Sequence, residues 1–179
     1  IFFWVARMIM AGMHFQKDIP FSDVYFTSII RDSQGRKMSK SLGNSPDPLD
    51  VIKDYGADAL RFTVIYLAPL GQDVLFSTDK CELGRNFANK IWNAGRFLLM
   101  NAEKISLNKD LKFAQIDFAD EWIISRLNKT MQQLNKAMDE FEVNNAIKLI
   151  YSFIWNDFCD WYVEMIKNRL YADDEEIKS

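Results

Sequence analysis

Apolar residues recur at two different spacings along the chain, and the change in spacing separates its two halves. Residues 82–101, 122–141 and 144–170 carry apolar side chains every three or four positions, which is the period of amphipathic helices. Residues 24–30 instead form a run of β-branched and aromatic side chains, which is typical of a buried strand. The pattern predicts a mainly α-helical protein with some β-structure in its first half.

Shorter elements are predicted in that first half. Residues 1–13 are apolar almost all round, which predicts a buried helix that ends near Gly12. Asp47 as N-cap and Pro48 in the first turn predict a short helix that Gly56 terminates. A helix at 58–67 and a short extended segment at 71–76 are expected next.

The last two long helices distribute their apolar residues differently. The helix at 144–170 has aromatic residues around much of its girth, so we expect neighbours to cover it on several sides. The helix at 122–141 is expected to start at an N-cap formed by Asp117 or Asp120. Its apolar residues fall on one stripe, consisting of Ile124, Leu127, Met131, Leu134, Met138 and Phe141.

The composition is that of a soluble globular protein, with 49 % hydrophobic and 26 % charged residues among 179. The net charge of −3 excludes a generally basic nucleic-acid-coating protein, so RNA contacts must come from local basic patches. One such patch is 31–40, which holds two arginines and two lysines against Asp32. The apolar N-terminal run is shorter than the roughly 20 residues of a membrane span, and Arg7 interrupts it.

The cysteines and the first residues indicate the setting of the chain. Cys81 and Cys159 match no spacing of metal ligands, so we expect two buried free thiols in a reducing cytoplasm and no metal site. The chain starts without Met, signal peptide or helix N-cap, and we interpret it as part of a longer protein. Its apolar start, led by Phe2, Phe3 and Trp4, predicts self-association.

Residues 35–44, here called the lysine loop, combine two lysines with glycines and serines. Lys37 and Lys40 are compact, rotatable charges that suit a polyphosphate whose charge shifts during a reaction. Gly35 and Gly43 give both ends backbone freedom, and serine hydroxyls can bond to phosphate oxygens. The loop follows the predicted strand, at the edge where open α/β sheets bind ligands. For the bare charges, the alternative is a basic surface turn.

The pentapeptide at 37–41 reads KMSKS, and this string resembles the signature loop of class I aminoacyl-tRNA synthetases. The chain as a whole is most similar to the bacterial valyl-tRNA synthetases within that class. Alternatives are an isoleucyl or leucyl specificity, a non-catalytic tRNA-binding helical module, or a purely structural bundle. Segments that occur in the order seen in the enzymes for branched aliphatic amino acids are 2–8, 55–61, 84–94 and 120–128.

The resemblance implies a fold and an order of domains. Residues 1–70 would be the C-terminal part of a Rossmann-like α/β nucleotide-binding catalytic domain. Residues 71–117 would be a connecting region that contacts the tRNA stem, and 118–179 the start of the helical anticodon-binding bundle. The family's His-x-Gly-His-like ATP motif and its editing domain do not occur in this sequence. His14, the single histidine, is expected to pack at a helix end, and the chain alone is expected to be inactive.

The resemblance also implies substrates and site residues. The full enzyme would use valine and ATP with Mg²⁺ to charge tRNA-Val in the cytoplasm. Neither ATP nor Mg²⁺ is expected to bind tightly to this chain alone, and whether the chain alone binds tRNA stays open. Lys37 and Lys40 would be catalytic, and Trp4 would line the amino-acid pocket unless it is a core tryptophan. The ATP-binding residues would be Lys37, Met38, Ser39, Lys40 and Ser41. The tRNA-binding residues would be Arg85, Lys90 and Arg96, for which a solvated helix face is the alternative.

Two further assignments stay open at this level. Asn44 either braces the far end of the lysine loop or serves only as a turn residue. Anticodon bases could stack on exposed aromatic side chains of the last helices, although most of those side chains are expected in the core. The sequence does not sort Trp155, Trp161 and Tyr162 between these roles.

Overall fold

The computed structural model describes residues 3–102 and 116–171, and most of these are helical. The mainly α-helical prediction is therefore confirmed. The helices are α1 (Trp4–Ala11), α2 (Pro48–Tyr55), α3 (Ala57–Leu67), α4 (Cys81–Ala102), α5 (Phe118–Asp139), α6 (Val143–Ser152), α7 (Val163–Met165) and α8 (Lys167–Tyr171). Between them lie π-helical turns at Gly12–Gln16 and Phe153–Tyr162, 3₁₀ turns at Lys40–Leu42 and Thr78–Lys80, and the strands β1 (Ile30–Arg31) and β2 (Val74–Leu75).

The strands form a parallel pair, and α2 and α3 lie in the connection between them. Ile30 is in register with Val74. A hydrophobic core surrounds this pair, with Val51, Val74, Phe76 and Cys81 buried at its centre. Burial raises the pKa of the Cys81 thiol. The core fixes the end of β1, and thereby the segment that follows it.

The predicted strand at 24–30 is wrong for most of its length. Within the described residues, only Ile30 of this range belongs to a strand with a partner. Val24, Phe26 and Ile29 are exposed. A β-branched and aromatic run forms a strand only where a neighbour supplies hydrogen bonds and covers the side chains, and β2 is two residues long. The extended segment predicted at 71–76 is confirmed in part, as β2.

The first helix differs from the prediction in burial and in its end. Helical geometry continues past Gly12 to residue 16 and stops at Lys17, which has φ 60°. Gly12 instead allows close packing, because a Cβ there would lie 3.0 Å from Pro20 Cδ. Trp4 and Met10 are each 70 % exposed, so the predicted burial is wrong. An apolar helix is buried only where another element covers it, and the described residues leave this one largely open.

The helices α3 and α4 cross at very short distance where Gly84 faces α3. A Cβ on Gly84 would lie 2.4 Å from the backbone oxygen of Ala59 and 2.8 Å from Thr63 Oγ1. Thr63 is fully buried, and its hydroxyl has no hydrogen-bond partner in the described part of the chain. Both helices have nearly the predicted bounds, and glycine at this crossing lets them meet.

A capping box starts α5 and confirms Asp117 as its N-cap. The Asp117 side chain accepts hydrogen bonds from the backbone N–H groups of Ala119 and Asp120. The Asp120 carboxylate in turn accepts from the backbone N–H of Asp117 at 3.2 Å. The reciprocal bonds satisfy donors that would otherwise be left open in the first turn.

Most of the apolar stripe of α5 is exposed in the structure. The buried residues are Ile123, Thr130 and Ala137, while Ile124 and Met131 are more than 40 % exposed. Two of the three buried residues, Thr130 and Ala137, have small side chains. The apolar period alone therefore does not specify which face of α5 is buried.

The helix predicted at 144–170 is confirmed as a helical run from 143 to 171, with a turn at Ile166. Its middle, Phe153–Tyr162, has π-helical geometry. Cys159 is buried there, which raises the pKa of its thiol. Both cysteines are therefore free and buried, as predicted.

Among residues 3–102 and 116–171, no helix combines the length and the apolar character that a membrane crossing requires. The same residues contain no group of three or more His, Cys, Asp or Glu side chains arranged to hold a metal ion. Residues 103–115, in the last part of the predicted connecting region, lie outside the described residues, and the domain boundaries stay predictions.

Candidate functional site

A tight turn follows β1 and starts the lysine loop. The backbone N–H of Gly35 donates to the Asp32 carbonyl at 2.9 Å, and that of Asp32 donates to the Arg36 carbonyl at 3.0 Å. Gly35 has φ 78°, a conformation that residues with a Cβ rarely adopt. Arg31 and Lys37 then face each other in an antiparallel bridge. The turn folds the chain back so that Lys37 lies beside the end of β1.

The Asp32 carboxylate organises this turn, a role that the sequence analysis missed. It is 7 % exposed, and one oxygen accepts from the backbone N–H groups of Gln34 and Arg36 at 3.0 and 2.8 Å. The other oxygen accepts from Arg36 Nε at 2.7 Å and Asn44 Nδ2 at 2.9 Å. The bond from Asn44 and those from Arg36 and Gln34 outweigh burial and lower the pKa of Asp32 to about 2.

Asn44 braces the far end of the loop, so it is more than a turn residue. Besides its bond to Asp32, its Nδ2 donates to the Lys37 carbonyl at 3.3 Å. Its Oδ1 accepts from the backbone N–H of Ser39 at 2.9 Å. One amide side chain thus connects the turn before the loop with the backbone on both sides of Met38.

The two serines of the loop shape a short 3₁₀ turn. Ser39 Oγ accepts from the backbone N–H of Leu42 at 3.3 Å and lies 3.2 Å from Ser41 Oγ. Gly43, with φ 63°, ends the turn and donates its backbone N–H to the Lys40 carbonyl. In this arrangement the serine hydroxyls help to fix the backbone that carries Lys40.

Both lysines point away from the core, and the residue next to Lys37 anchors the loop. Met38 packs against the core around Val51 and Phe76. Lys37 and Lys40 are exposed, and the ion pairs of the described residues do not involve them. The arrangement presents two ammonium groups on a braced backbone, which suits the binding of a polyphosphate.

The predicted amino-acid pocket residue lies on an open surface. Trp4 is on the exposed side of α1, with the Arg7 guanidinium carbon 5.4 Å from its ring centroid. His14 is exposed in the following π-helical turn, with its ring edge-on to Phe15 at 4.7 Å. Its predicted packing at a helix end is therefore a local surface contact.

The predicted tRNA-binding cations of α4 have different surroundings. Lys90 forms an ion pair with Asp160, and its Nζ lies 4.0 Å from the ring centroid of Trp155. Arg85 lies 3.4 Å from a Glu82 oxygen. Arg96 is exposed. With a rotation of 100° per residue, Arg85 and Arg96 share a face and Lys90 lies on another. The structure uses Lys90 to join α4 to the last helical run.

An aromatic cluster joins α3, α4 and the last helical run. Neighbouring ring centroids within it are 4.7 to 6.1 Å apart, distances at which aromatic pairs attract each other. Burial raises the pKa of Tyr151 at its centre. Trp155 stacks on Tyr151 and therefore serves the core. The members are Phe62, Tyr66, Phe87, Tyr151 and Trp155.

A hydrogen-bonded side chain reinforces the same junction. Asn144 at the start of α6 donates from Nδ2 to the carbonyls of Ile65 and Tyr66, at 2.9 and 2.5 Å. These carbonyls belong to the last turn of α3, where helix geometry leaves acceptors open. Asn144 thus caps the end of α3, the helix that packs against the same core as Met38.

The last helical run is tied to the start of α5 by a polar network. Arg169 donates to both Asp120 oxygens at 2.7 Å, and the Tyr162 hydroxyl donates to Asp120 Oδ1 at 2.7 Å. The Arg169 guanidinium, with smaller contributions from Tyr162 and a backbone N–H, lowers the pKa of Asp120 to about 2. Burial, followed by the Asp120 charge, raises the pKa of Tyr162 to about 12. Tyr162 is therefore structural, whereas Trp161 is 58 % exposed.

Comparisons with known proteins match the two halves of the chain separately. Residues 1–77 match the family model "tRNA synthetases class I (I, L, M and V)". Residues 120–178 match "Anticodon-binding domain of tRNA ligase". The chain belongs to the class I tRNA synthetases. The valine–tRNA ligase of Chlorobaculum tepidum is 56 % identical over 97 % of this chain, and that of Fusobacterium nucleatum is 58 % identical over 99 %.

The chain spans about a fifth of the length of these relatives, which agrees with its interpretation as part of a longer protein. Two solved structures share its fold. A LeuRS of Agrobacterium radiobacter K84, in a ternary complex with tRNA and LeuAMS, has a TM-score of 0.69 at 18 % identity, over 97 % of this chain and 25 % of that one. Mycobacterium tuberculosis methionyl-tRNA synthetase, in complex with methionyl-adenylate, has a TM-score of 0.65 at 23 % identity, over 85 % and 30 %.

Proposed function

We propose that this chain is the part of a valine–tRNA ligase that carries the lysine loop and the first helices of the anticodon-binding domain. The observation that carries the proposal is the identity of 56 and 58 % with two valine–tRNA ligases over nearly the whole chain. The complete ligase would activate valine with ATP and transfer it to tRNA-Val in the cytoplasm. An isoleucyl or leucyl specificity would leave the role of the loop unchanged.

The geometry of the loop fits the first of these steps. Adenylate formation joins the valine carboxylate to the α-phosphorus of ATP and expels pyrophosphate, so negative charge grows on the leaving phosphates. Lys37 and Lys40, exposed on a braced backbone, would neutralise that charge. Each contact would be a charge-assisted hydrogen bond, worth about 1.5–3 kcal/mol. Met38, Ser39 and Ser41 would complete the ATP-binding segment, and Mg²⁺ would enter with the ATP phosphates.

Other residues would serve valine and tRNA. We propose that Trp4 lines the valine pocket once the rest of the catalytic domain covers α1, which explains its 70 % exposure in this chain. Arg85 and Arg96 would contact tRNA phosphates, which supply affinity without sequence information. Lys90 would contribute less directly, because Asp160 and Trp155 already engage its ammonium group.

The role of the loop is tested by valine-dependent ATP–pyrophosphate exchange in the full-length enzyme that carries this segment. Lys37→Ala and Lys40→Ala should each lower kcat about ten- to a hundredfold, as expected for loss of one charged contact in the transition state. Lys53→Ala on the exposed side of α2 is the matched control and should leave kcat unchanged. Full activity in both loop variants would contradict the proposal. The chain alone should show no exchange.

A stand-alone tRNA-binding module is the second candidate, and the match of residues 120–178 to an anticodon-binding domain favours it. The two candidates separate when this chain is titrated with a tRNA-Val transcript and a non-cognate tRNA at two salt concentrations. Salt-sensitive preference for tRNA-Val would show that this segment recognises tRNA without the remaining parts of the ligase. Equal or no binding would show that recognition needs them.

A further inference from the structure

We infer that Asp32 and Asn44 are positioning residues for the catalytic lysines, and that Arg36 serves as the counter-ion of Asp32 and does not bind phosphate. The inference rests on the proposed function, because it assumes that Lys37 and Lys40 meet the ATP phosphates. It gives three further residues a role in how the lysine loop acts. We call Asp32, Arg36 and Asn44 the clasp.

The clasp joins two points of the chain that are 12 residues apart, one before the lysines and one after them. Asn44 reaches the carbonyl of Lys37 and the N–H of Ser39, so its bonds flank the backbone between the two lysines. Asp32 holds the side chain of Asn44 through the other hydrogen of the same amide nitrogen. If Asn44 is lost, the described contacts that still hold this backbone are the packing of Met38 and the bridge between Arg31 and Lys37.

The same contacts explain how a carboxylate can stand close to a phosphate-binding loop. An unneutralised Asp32 would repel a polyphosphate across a short distance. Instead, both of its oxygens are saturated by donors, and the Arg36 guanidinium supplies a full positive charge at 2.7 Å. Of the cations in 31–40, Arg31 is paired with Asp73 and Arg36 with Asp32. The charge left to face a ligand is that of Lys37 and Lys40.

A clasp that orients the lysines should affect the rate of adenylation more than substrate binding. Charge on the leaving phosphates is greatest in the transition state, so a displaced ammonium group lowers kcat more than it changes KM. A merely structural role predicts a lower unfolding temperature with normal kcat in the molecules that stay folded. The ratio of these two effects distinguishes the roles.

The decisive variants exchange the two facing groups in the full-length enzyme. Asn44→Asp places a second carboxylate against Asp32, and it should lower kcat for pyrophosphate exchange about ten- to a hundredfold with little change in KM for valine. Combining it with Asp32→Asn restores the amide–carboxylate bond in reversed order, while the bond that Asn44 donates to the Lys37 carbonyl stays lost. The double variant should recover kcat to within about tenfold of wild type, as expected for directly coupled groups. Asn128→Asp, the same chemical change on the exposed side of α5, should have no effect.

The assignment of Arg36 as a counter-ion is likewise tested with a single variant and its combination with Asp32→Asn. Arg36→Gln should raise KM for ATP, because it leaves the Asp32 charge uncompensated, and adding Asp32→Asn should remove most of that increase. An equal increase in both backgrounds would show that Arg36 binds phosphate directly and would overturn its assignment as a counter-ion.

The lysine variants distinguish a failure of the clasp from a failure of the proposed function. If Lys37→Ala and Lys40→Ala lose activity but Asn44→Asp keeps normal kcat, the clasp is refuted and the proposed function stands. If the lysine variants are fully active, the proposed function fails together with the clasp. Loss of kcat in Asn44→Asp without recovery in the reversed pair would also refute the clasp, provided that both variants unfold at the temperature of the wild type.

Discussion

One buried or partly buried carboxylate accepts several hydrogen bonds beside the lysine loop, and another does so among the helices after residue 117. The two carboxylates, Asp32 and Asp120, differ in how far away their partners are in sequence. Asp32 takes its donors from within 12 residues. Asp120 takes its strongest donors from Tyr162 and Arg169, 42 and 49 residues away. Both have a pKa of about 2. The pKa is therefore lowered by a local turn in one region and by tertiary packing in the other.

Because of this difference, loss of the Asp32 hydrogen bonds and loss of the Asp120 hydrogen bonds should have different effects on the protein. The bonds of Asp32 order a surface loop, so their loss should change the activity of that loop and little else. The bonds of Asp120 hold the end of the chain's described part against the first turn of α5, so their loss should affect the stability of the whole bundle. Four predictions test this contrast, beginning with the largest expected effect.

Asp120→Ala should destabilise the protein by about 3 kcal/mol, because the partly buried Arg169 loses its closer partner and keeps only Asp117 at 3.4 Å, and because half of the capping box is removed. The measurement is urea unfolding followed by circular dichroism at pH 7. Asp32→Ala should cost less than half as much, since its donors lie on a loop. Asp139→Ala, on the exposed end of α5, is the control and should change the unfolding free energy by less than about 0.5 kcal/mol. Equal losses for Asp32 and Asp120 would contradict the contrast.

The crossing that joins the two regions is sensitive to a single methyl group. Gly84→Ala should destabilise the protein by about 1–3 kcal/mol, since the new Cβ would lie 2.4 Å from the backbone of Ala59. Gly95→Ala on the same helix meets open space and should stabilise by about 0.5–1 kcal/mol through helix propensity. The unfolding free energies of both variants check this pair. A stable Gly84→Ala protein would show that α3 and α4 can separate without cost.

Asp32 and Asp120 should be protonated over the same range of pH, but a mutation beside one should not change the pKa of the other. Each has a folded pKa near 2, below the ordinary value of 3.8, so each stabilises the fold fully above about pH 4 and loses this effect as the pH falls towards 2. NMR titration of the carboxyl carbons should show Asn44→Ala raising the pKa of Asp32 alone, and Arg169→Ala raising that of Asp120 alone. A shift of both in either variant would reveal coupling between the regions.

The smallest expected effects concern the cations of α4. Arg96→Ala should weaken tRNA binding uniformly and reduce the slope of log K against log salt by about one. Lys90→Ala should instead lower the unfolding temperature, because its ion pair with Asp160 and its contact with Trp155 are lost. Binding titrations at several salt concentrations, together with thermal unfolding, separate the two outcomes. An unchanged slope for Arg96→Ala would remove it from the tRNA surface.

The predicted elements agree with the structure where the structure depends on neighbours along the chain. The start of α2 at Asp47 and Pro48, the cap of α5 at Asp117 and the bounds of α4 follow from capping rules and helical period. The lysine loop was likewise recognisable, because its residues are consecutive. The role of Asp32 was not predicted although Asp32 lies three residues before Gly35. Its role depends on the hydrogen bond from Asn44, which the fold brings back to it.

The errors share a different cause. Residues 24–29 and α1 have the composition of a buried strand and a buried helix, but the described part of the chain does not cover them. On α5 most of the apolar stripe is exposed, whereas Thr130 and Ala137 are buried. Burial is a property of two surfaces, and a pattern along one element specifies only one of them.

By itself, the sequence determined the class of protein, most helix boundaries and the position of the lysine loop, because these depend on consecutive residues and short-range hydrogen bonds. Only the tertiary structure decided which faces are buried, which carboxylates are saturated and which aromatic residues serve the core. Those choices depend on groups such as Arg169 and Asn144, which act on partners more than 40 residues away in sequence. No local rule connects them before the helices pack.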